Sequence, residues 1–449
     1  MHFVGIGGAG MSAIAKVLME RGFEVSGSDL KRSRAATMLE AMGVAVHIGH
    51  AGSLVEGADV VVISTAIPER NPELVRAREL GIEVMTRGGA LAALLNDLKS
   101  IVVAGTHGKT TTTSMIVSIL RSDGRDPTYL VGGGLNDVGT NARHGRDEWA
   151  VAESDESDGS FLLLAPQVAV VTNVEADHLD HWGSFDAIKD AFRSFVGAVK
   201  EGGGVVLPEG NDVLDDYTPP PDTGRVSFGA GGDLSARDIS PRGSGTTFTL
   251  VHDGSEVPVR LRVPGRHNVA NALAAAAACL QVGVSIQAVA HGLAGYRGVE
   301  RRFQIRGERD GVTIIDDYAH HPTEVRATLE AARSGPWKRV VAVFQPHRYS
   351  RTQTLYGEFG AAFDGADRIV VTEVYGAGEQ PVPGVTGKLI ADSVCDHLPG
   401  RAVAYFPHHD ELVAYLRASA RAGDALLTLG AGDISALGEE LLTAGWGTR

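Results

Sequence analysis

One stretch limits what this 449-residue chain can fold into more than any other. The apolar run Ser100-Ile101-Val102-Val103-Ala104 is followed at once by Gly105-Thr106-His107-Gly108-Lys109-Thr110-Thr111-Thr112-Thr113. The run reads as a buried strand, the glycines as a turn, and the hydroxyl series as the start of a helix. A strand passed through a glycine turn into a helix is the building unit of a parallel α/β sheet. Such a turn also aims several backbone N–H groups and a helix N-terminus at one spot, which suits a polyphosphate. Lys109 adds a movable positive charge, and Thr110 a hydroxyl for an accompanying magnesium ion. The general phosphate-loop pattern would require glycine where the chain has Val103, so only its Gly-Lys-Thr end is present.

The same alternation of short apolar strands and helical segments runs along most of the chain. Phe3-Val4-Gly5-Ile6, Glu24–Ser28 and Ala58–Ser64 open a first doubly wound sheet, expected over 1–98. A second, over 99–297, holds the lysine loop and the strands Trp149–Glu153 and Val168–Asn173. Within it, residues 201–265 carry Gly202-Gly203-Gly204, Pro219-Pro220-Pro221 and alternating runs such as Thr247–Leu250, read as appended antiparallel hairpins. An alanine-rich helix follows from about His267. A third α/β segment, 298–449, contains Val312–Asp316, Arg339–Phe344 and Ala425–Leu429. Three domains suit a chain too long for one core of ordinary size.

Several constellations sit at strand ends, where open α/β sheets bind ligands. Gly5-Ile6-Gly7-Gly8-Ala9-Gly10 fits G-x-G-x-x-G, with Asp29 about twenty residues on; by itself this fits a dinucleotide or any diphosphate-linked nucleoside. Glu153 ends one strand and is followed by Ser154-Asp155-Glu156-Ser157-Asp158, an acidic run of the kind usually solvated. Asn173 ends another, with Glu175, Asp177 and His178 beyond it. A carboxylate beside Lys109-Thr110 suits Mg²⁺, whereas a histidine ligand does not follow from the chemistry of that ion. Asn268 and Asn271 open the alanine-rich helix, as polar helix residues or as amides facing a purine edge. In the third segment Asp317 and His320 follow a strand, and Arg348 and Arg351 would share a face if helical, making a fork for a carboxylate or phosphate. Gly430-Ala431-Gly432-Asp433 reads as a plain turn.

Taken together, the glycine loop Gly5–Met11, the shortened loop Gly105–Thr113, Glu153–Asp158, Asn173–His178, His267–Asn271, Glu300–Phe303, Asp316–Pro322 and His347–Thr352 resemble the Mur ligases in order and spacing. The resemblance implies a Rossmann-like N-terminal domain for a UDP sugar, a central ATPase-like α/β domain with added antiparallel strands, and a mobile Rossmann-like C-terminal domain. It implies an ATP-dependent ligase that joins L-alanine to UDP-N-acetylmuramate through an acyl phosphate, in peptidoglycan precursor synthesis. On this resemblance Gly105, Thr106, His107, Gly108, Lys109, Thr110 and Thr111 hold ATP phosphates, Asn268 and Asn271 the adenine, and Asp317 reaches ATP. Gly7, Gly8, Ala9, Gly10, Asp29 and Asn173 hold the UDP sugar. Thr110, Glu153 and His178 hold Mg²⁺. Lys109, His320, Arg348 and Arg351 serve the chemistry, the arginines on the alanine carboxylate and His320 as a base. Some relatives carry a carbamylated lysine; Lys189 and Arg193 are what this region offers, and no such modification is expected.

Composition narrows the alternatives. A net charge of −14 argues against nucleic acid or a membrane surface as partner. Two cysteines, Cys279 and Cys395, cannot build a disulfide framework, and no 18-residue apolar stretch occurs, so a cytoplasmic enzyme is expected, as a monomer or weak homodimer. A tripeptide-recycling ligase acting on the same sugar is the nearest rival. An NAD-dependent oxidoreductase, built on the first loop alone, leaves Lys109, Glu153 and the asparagines without a purpose.

Overall fold

The computed structural model describes residues 1–214 and 217–443; the last six residues of the expected third segment, 444–449, lie outside the described residues. The chain divides into two compact units, one of residues 1–237, 249–259 and 270–296, the other of 238–248, 260–269 and 297–449.

The first sheet is parallel: β1 (His2–Val4), β2 (Ser26–Asp29), β3 (Ala45–Ile48), β4 (Val60–Ile63) and β5 (Glu83–Thr86), in the order β3-β2-β1-β4-β5. The order reverses between β1 and β4, so the loop leaving β1 stands at the crevice where such sheets bind ligands.

The second sheet holds β6 (Lys99–Ala104), β7 (Thr128–Leu130), β8 (Ala142–Arg143), β9 (Trp149–Glu153), β10 (Val168–Val171), β11 (Gly204–Pro208), β12 (Gly224–Phe228), β13 (Leu234–Arg242), β14 (Gly245–His252) and β15 (Ser255–Leu261). Its order is β15-β14-β13-β12-β11-β10-β6-β9-β7-β8. β6 lies between β10 and β9, parallel to both, and is buried from Ser100 onward, which explains its unbroken apolar sequence. The expected hairpins begin later than the composition suggested. β11 and β12 continue the parallel sheet. Only β13, β14 and β15, joined by two-residue turns, form the antiparallel addition. Gly202, with φ +68 and open space around it, does turn the chain, but Gly204, the first residue of β11, serves packing: a Cβ there would stand 1.5 Å from Gln281 Oε1, whose amide nitrogen donates to Val205 O at 3.1 Å.

One continuous apolar core runs through the first unit, from Phe3 and Ile14 to Phe161, Phe192 and Leu214. The N-terminal and central sheets are therefore packed together in that unit, with Lys16 Nζ donating to Thr140 Oγ1 (2.6 Å) and Glu20 accepting from His144 N (2.6 Å).

The third sheet contains β16 (Gln304–Arg309), β17 (Val312–Asp317), β18 (Arg339–Phe344), β19 (Arg368–Thr372), β20 (Ala402–Phe406) and β21 (Asp424–Leu429), ordered β16-β17-β21-β18-β19-β20. Only β16 runs antiparallel, at the edge. Its two faces carry separate cores, one around Phe344, Phe359 and Phe363, the other around Val341, Leu416 and Leu441. Among the described residues no helix is long and apolar enough to cross a membrane.

Candidate active site

The loop after β1 leads into the helix Ala9–Glu20, whose N-cap, Gly8, offers no side-chain cap and whose first turn carries no acidic residue. Gly8, Ala9 and Gly10 are exposed. A helix N-terminus left open in this way attracts an anion. Asp29, at the end of β2, shapes the loop: its Oδ2 accepts from Gly7 N at 2.9 Å and its Oδ1 from Lys31 N at 3.2 Å. Ser33 donates to Gly7 O at 3.2 Å. A side chain at residue 7 would overlap both, since a Cβ there would lie 2.5 Å from Ser33 Oγ.

The loop after β6 is held from β10. Asn173 clamps His107 on both sides, with Oδ1 accepting from His107 N (2.9 Å) and Nδ2 donating to His107 O (3.0 Å). Thr106 N donates to Asn173 O at 3.1 Å. Two glycines make the turn feasible. Gly105 has φ +134 and a Cβ there would stand 2.1 Å from Thr172 Oγ1. Gly108 has φ +82, caps the helix Lys109–Ser122, and a Cβ there would stand 2.3 Å from Asn271 Oδ1. Both positions favour glycine through backbone conformation and through space. The packing also places Asn271 directly beside the lysine loop. Asn268, a turn earlier on the same helix, is buried and donates from Nδ2 to Pro264 O at 2.6 Å.

Lys109 folds back over its own loop. Its ammonium donates to Gly105 O (2.6 Å) and Thr106 O (3.2 Å), and to Glu156 Oε1 (3.0 Å) and Oε2 (2.8 Å). Burial opposes charge on Lys109, but the carboxylates of Glu156, Asp155 and Glu153 outweigh it and raise the ammonium's pKa. Glu156 is only 4% exposed. The acidic run read as solvated is thus turned inward at this residue, because Trp182 Nε1 donates to its carbonyl (3.0 Å) and Lys109 waits beneath its carboxylate. Nothing in the run itself distinguishes Glu156 from Asp158.

Glu153, at the end of β9, and Thr110 converge on the loop after β7. A Cβ on Gly132 would stand 2.0 Å from Glu153 Oε1 and 3.0 Å from Thr110 Oγ1. His178 takes the left-handed conformation (φ 55) as N-cap of a short helix, with Nε2 at 3.9 Å from Glu156 Oε1 and 3.6 Å from Asp177 Oδ2. Two contact sets thus meet at Lys109-Thr110, with Glu156 and His178 on the side of the ammonium and Glu153 on the side of the Thr110 hydroxyl. Lys189 lies elsewhere on a surface helix, paired with Asp186 at 3.1 Å.

In the second unit the C-terminal ends of β17, β21, β18 and β19 bring together a different group. Asp317 is 6% exposed; Oδ2 accepts from Phe303 N (2.7 Å) and Oδ1 from Ala319 N (2.8 Å). Burial raises its pKa to about 6 in spite of these donors. Its oxygens thus shape the strained turn Arg301–Phe303, whose end residues both have positive φ. His320 Nδ1 meets Tyr318 O at 3.0 Å, which puts the proton on Nδ1 and leaves Nε2 an acceptor. Burial depresses His320 to about 4, and His347, packed edge-on at 5.7 Å, to about 3. Arg348 and Arg351 both add positive charge around His347. They do not form the helical pair expected: Arg348 precedes the helix Tyr349–Ala362 with φ 69 and is exposed, while Arg351 lies in its first turn. The bridge from His347 to Tyr375, with Arg348 N donating to Tyr375 O at 2.8 Å, forces the chain out of helical geometry at that residue. The Gly430–Asp433 turn is more than a connection, because Arg301 donates to Gly430 O (2.6 Å) and Gln345 Nε2 to Asp433 Oδ1 (2.8 Å).

Comparison with known proteins agrees with this layout. The family models "Mur ligase family, catalytic domain", "Mur ligase middle domain" and "Mur ligase, glutamate ligase domain" match residues 1–99, 103–279 and 301–432. A UDP-N-acetylmuramate–L-alanine ligase of Rubrobacter xylanophilus is 51% identical over 448 residues, covering 98% of this chain and 99% of its own. The crystal structure of UDP-N-acetylmuramate-alanine ligase from Thermotoga maritima is similar with a TM-score of 0.85 at 30% identity, over 98% of each chain. A murein peptide ligase from Psychrobacter arcticus is similar with a TM-score of 0.73 at 26% identity, over 100% of this chain and 99% of its own.

Proposed function

The chain belongs to the Mur ligase family, and from that premise we propose that it joins L-alanine to the carboxylate of UDP-N-acetylmuramate, converting ATP to ADP and phosphate. The observation that most supports the chemistry is the convergence of Lys109, Thr110, Glu153 and Glu156 on the glycine loop after β6. An oxidoreductase would need the first loop only. The recycling rival is represented by the less similar structure, at TM-score 0.73 against 0.85.

The proposed domains are 1–98 for the UDP sugar, 99–297 for ATP and 298–449 for the amino acid. Gly7, Gly8, Ala9 and Gly10 receive the diphosphate on the open helix end, with Asp29 holding the loop in shape. Gly105–Thr111 receives the ATP phosphates, and Asn173, assigned to the UDP sugar, also braces that loop. Asn271, beside Gly108, and Asn268 face the adenine. Thr110, Glu153 and His178 would hold Mg²⁺: two oxygen donors meet over Gly132 in a cradle that a Cβ would fill. Mg²⁺, when bound, offsets charge on the phosphate oxygens.

A carboxylate is a poor acyl donor, so it is first phosphorylated. One oxygen of the muramyl carboxylate attacks the γ-phosphorus, the bond to ADP breaks, and Lys109 leaves Glu156 to follow the phosphoryl oxygens. The amine of L-alanine, once its ammonium proton has passed to solvent, then attacks the acyl carbon; phosphate departs with the carboxylate's oxygen and takes up the proton that the nitrogen loses on becoming an amide. Arg348 and Arg351 hold the alanine carboxylate. His320, neutral at pH 7, presents Nε2 to the amine; with a pKa of about 4 it orients the nucleophile better than it stores a proton. The enzyme works in the cytoplasm, as a monomer or weak homodimer.

Phosphate release with UDP-N-acetylmuramate and ATP, across L-alanine, glycine, L-serine and the cell-wall tripeptide, tests this reading. L-alanine should give the highest kcat/KM. Preference for the tripeptide would favour the recycling ligase, and no nucleotide-dependent release would return the oxidoreductase.

A further inference from the structure

The acidic segment after β9 reaches both glycine loops, the second directly and the first through Arg87. Toward the second loop, Glu156 holds Lys109 and Asp155 adds its charge to the same ammonium. Toward the first, Asp158 Oδ2 accepts from Arg87 Nη2 at 3.0 Å, and Asp155 Oδ2 lies 3.6 Å from the same nitrogen. Arg87 in turn lies against the first loop: a Cβ on Gly10 would stand 3.3 Å from both Cδ and Nη1 of Arg87.

The segment between these ends is stiff. Asp155 Oδ1 accepts from Ser157 N and Asp158 Oδ1 from Ser160 N, each at 3.0 Å. Ser160 packs on Gly88, where a Cβ would stand only 2.5 Å from the serine Cβ. A displacement at one end is passed along such a braced turn rather than absorbed. Helix formation does not account for Arg87 either. It is the first residue of the helix Arg87–Leu95, where the helix dipole disfavours a cation.

We propose that Arg87 is a positioning residue that couples the two loops through Asp158 and Asp155, so that each nucleotide ligand tightens the binding of the other. The inference rests on the proposed function, which puts a diphosphate on the first loop and ATP on the second. A diphosphate over Gly10 draws the Arg87 guanidinium onto its own oxygens. The acidic segment then loses its tie toward the first loop and shifts as a braced unit, and Glu156 gives up Lys109 more readily to the incoming phosphates. Reciprocity is required by linkage: the factor by which the sugar helps ATP is the factor by which ATP helps the sugar.

The test is calorimetric. The Kd of UDP-N-acetylmuramate is measured on the full chain, alone and with a saturating non-hydrolysable ATP analogue plus Mg²⁺, without alanine. The wild type should bind the sugar roughly tenfold more tightly in the presence of the analogue. Asp158→Asn removes the shorter of the two ties to Arg87 while leaving the Lys109–Glu156 pair in place, and its ratio should fall by at least half; Arg87→Gln, which removes the charge from both ties, should bring it below about twofold. Arg87→Lys, which keeps the charge, should recover part of the ratio. A merely structural role would shift both constants together and leave their ratio alone. A wild-type ratio of one, or an unchanged ratio in both Asp158→Asn and Arg87→Gln, overturns the coupling while leaving the functional reading intact. Failure of the wild type to bind either ligand overturns that reading, and the coupling with it.

Discussion

Gly132→Ala separates the metal pole of the ATP site from the stability of the fold. Gly132 does not have a positive φ, so alanine is compatible with its backbone. The substitution should leave stability unchanged or raise it by about 0.4–1 kcal/mol, because the unfolded chain loses freedom. Space is the difficulty. The new methyl would stand 2.0 Å from Glu153 Oε1 and 3.0 Å from Thr110 Oγ1, where contacts under 3.0 Å are essentially never seen. Glu153 is the flexible partner, so its carboxylate must retreat by about 1 Å or more. A displacement of about 1 Å in a positioned catalytic group costs on the order of 100-fold, or about 2.7 kcal/mol. The assay is phosphate release against MgATP concentration at saturating sugar and alanine, with thermal unfolding run in parallel. The expected result is kcat/KM for ATP down roughly 100-fold with Tm within a few degrees of wild type. A variant with wild-type Tm and kcat/KM within twofold would refute the placing of Glu153 and Thr110 at the metal.

Lys109→Ala should abolish ATP-dependent phosphate release and also destabilise the protein by about 3 kcal/mol, because Glu156 is left buried without its cation. Lys109→Ala with Glu156→Gln should recover most of the lost Tm and none of the activity, and recovered turnover would contradict the role given to Lys109. Asp29→Ala releases Gly7 N and should weaken UDP-N-acetylmuramate binding about tenfold with little change in KM for ATP, measured by calorimetry and initial rates. Acid should destabilise the second unit. His267 and His320 are depressed to about 4 and His347 to about 3, so their contribution is fully present above pH 6.5 and lost as pH falls toward 4. Each histidine contributes a slope of about 1.4 kcal/mol per pH unit, against one opposing contribution from Asp317, whose raised pKa favours the fold as pH falls below 6. Urea midpoints at pH 8, 6 and 5 should fall steadily, and His347→Gln should flatten the fall; equal midpoints would contradict the burial of these imidazoles.

The sheets were legible in the sequence because their central strands are buried on both faces. β6, β17 and β21 read as largely apolar runs, interrupted only by small hydroxyl residues such as Thr313 and Thr428 and bounded by glycine or acid. Gly204 misled, since glycine signals a turn, as at Gly202, and a close approach alike, and only Gln281 lying against β11 tells them apart. The phosphate loop could be read from its own residues because its chemistry is local. The inward turn of Glu156 could not, since it depends on Trp182 and Lys109, distant in sequence. Gly132 was invisible for the same reason: its meaning is a space shared with Glu153 and Thr110. Asp29 was found at the right loop, whereas Asn173, grouped with the UDP-sugar residues, braces the lysine loop; each holds its loop through a backbone N–H. Arg348 and Arg351 were read as a helical pair, but the positive φ at Arg348 follows from its bridge to Tyr375, which no local pattern records.

The step on which the chemistry turns is the passage of a carboxylate oxygen to phosphate. Turnover of UDP-N-acetylmuramate labelled with ¹⁸O in its carboxylate, with ATP and L-alanine, tests it most directly by mass analysis of the released phosphate. An acyl phosphate intermediate predicts one labelled oxygen in each phosphate formed. Phosphate free of label, alongside normal amide formation, would contradict it.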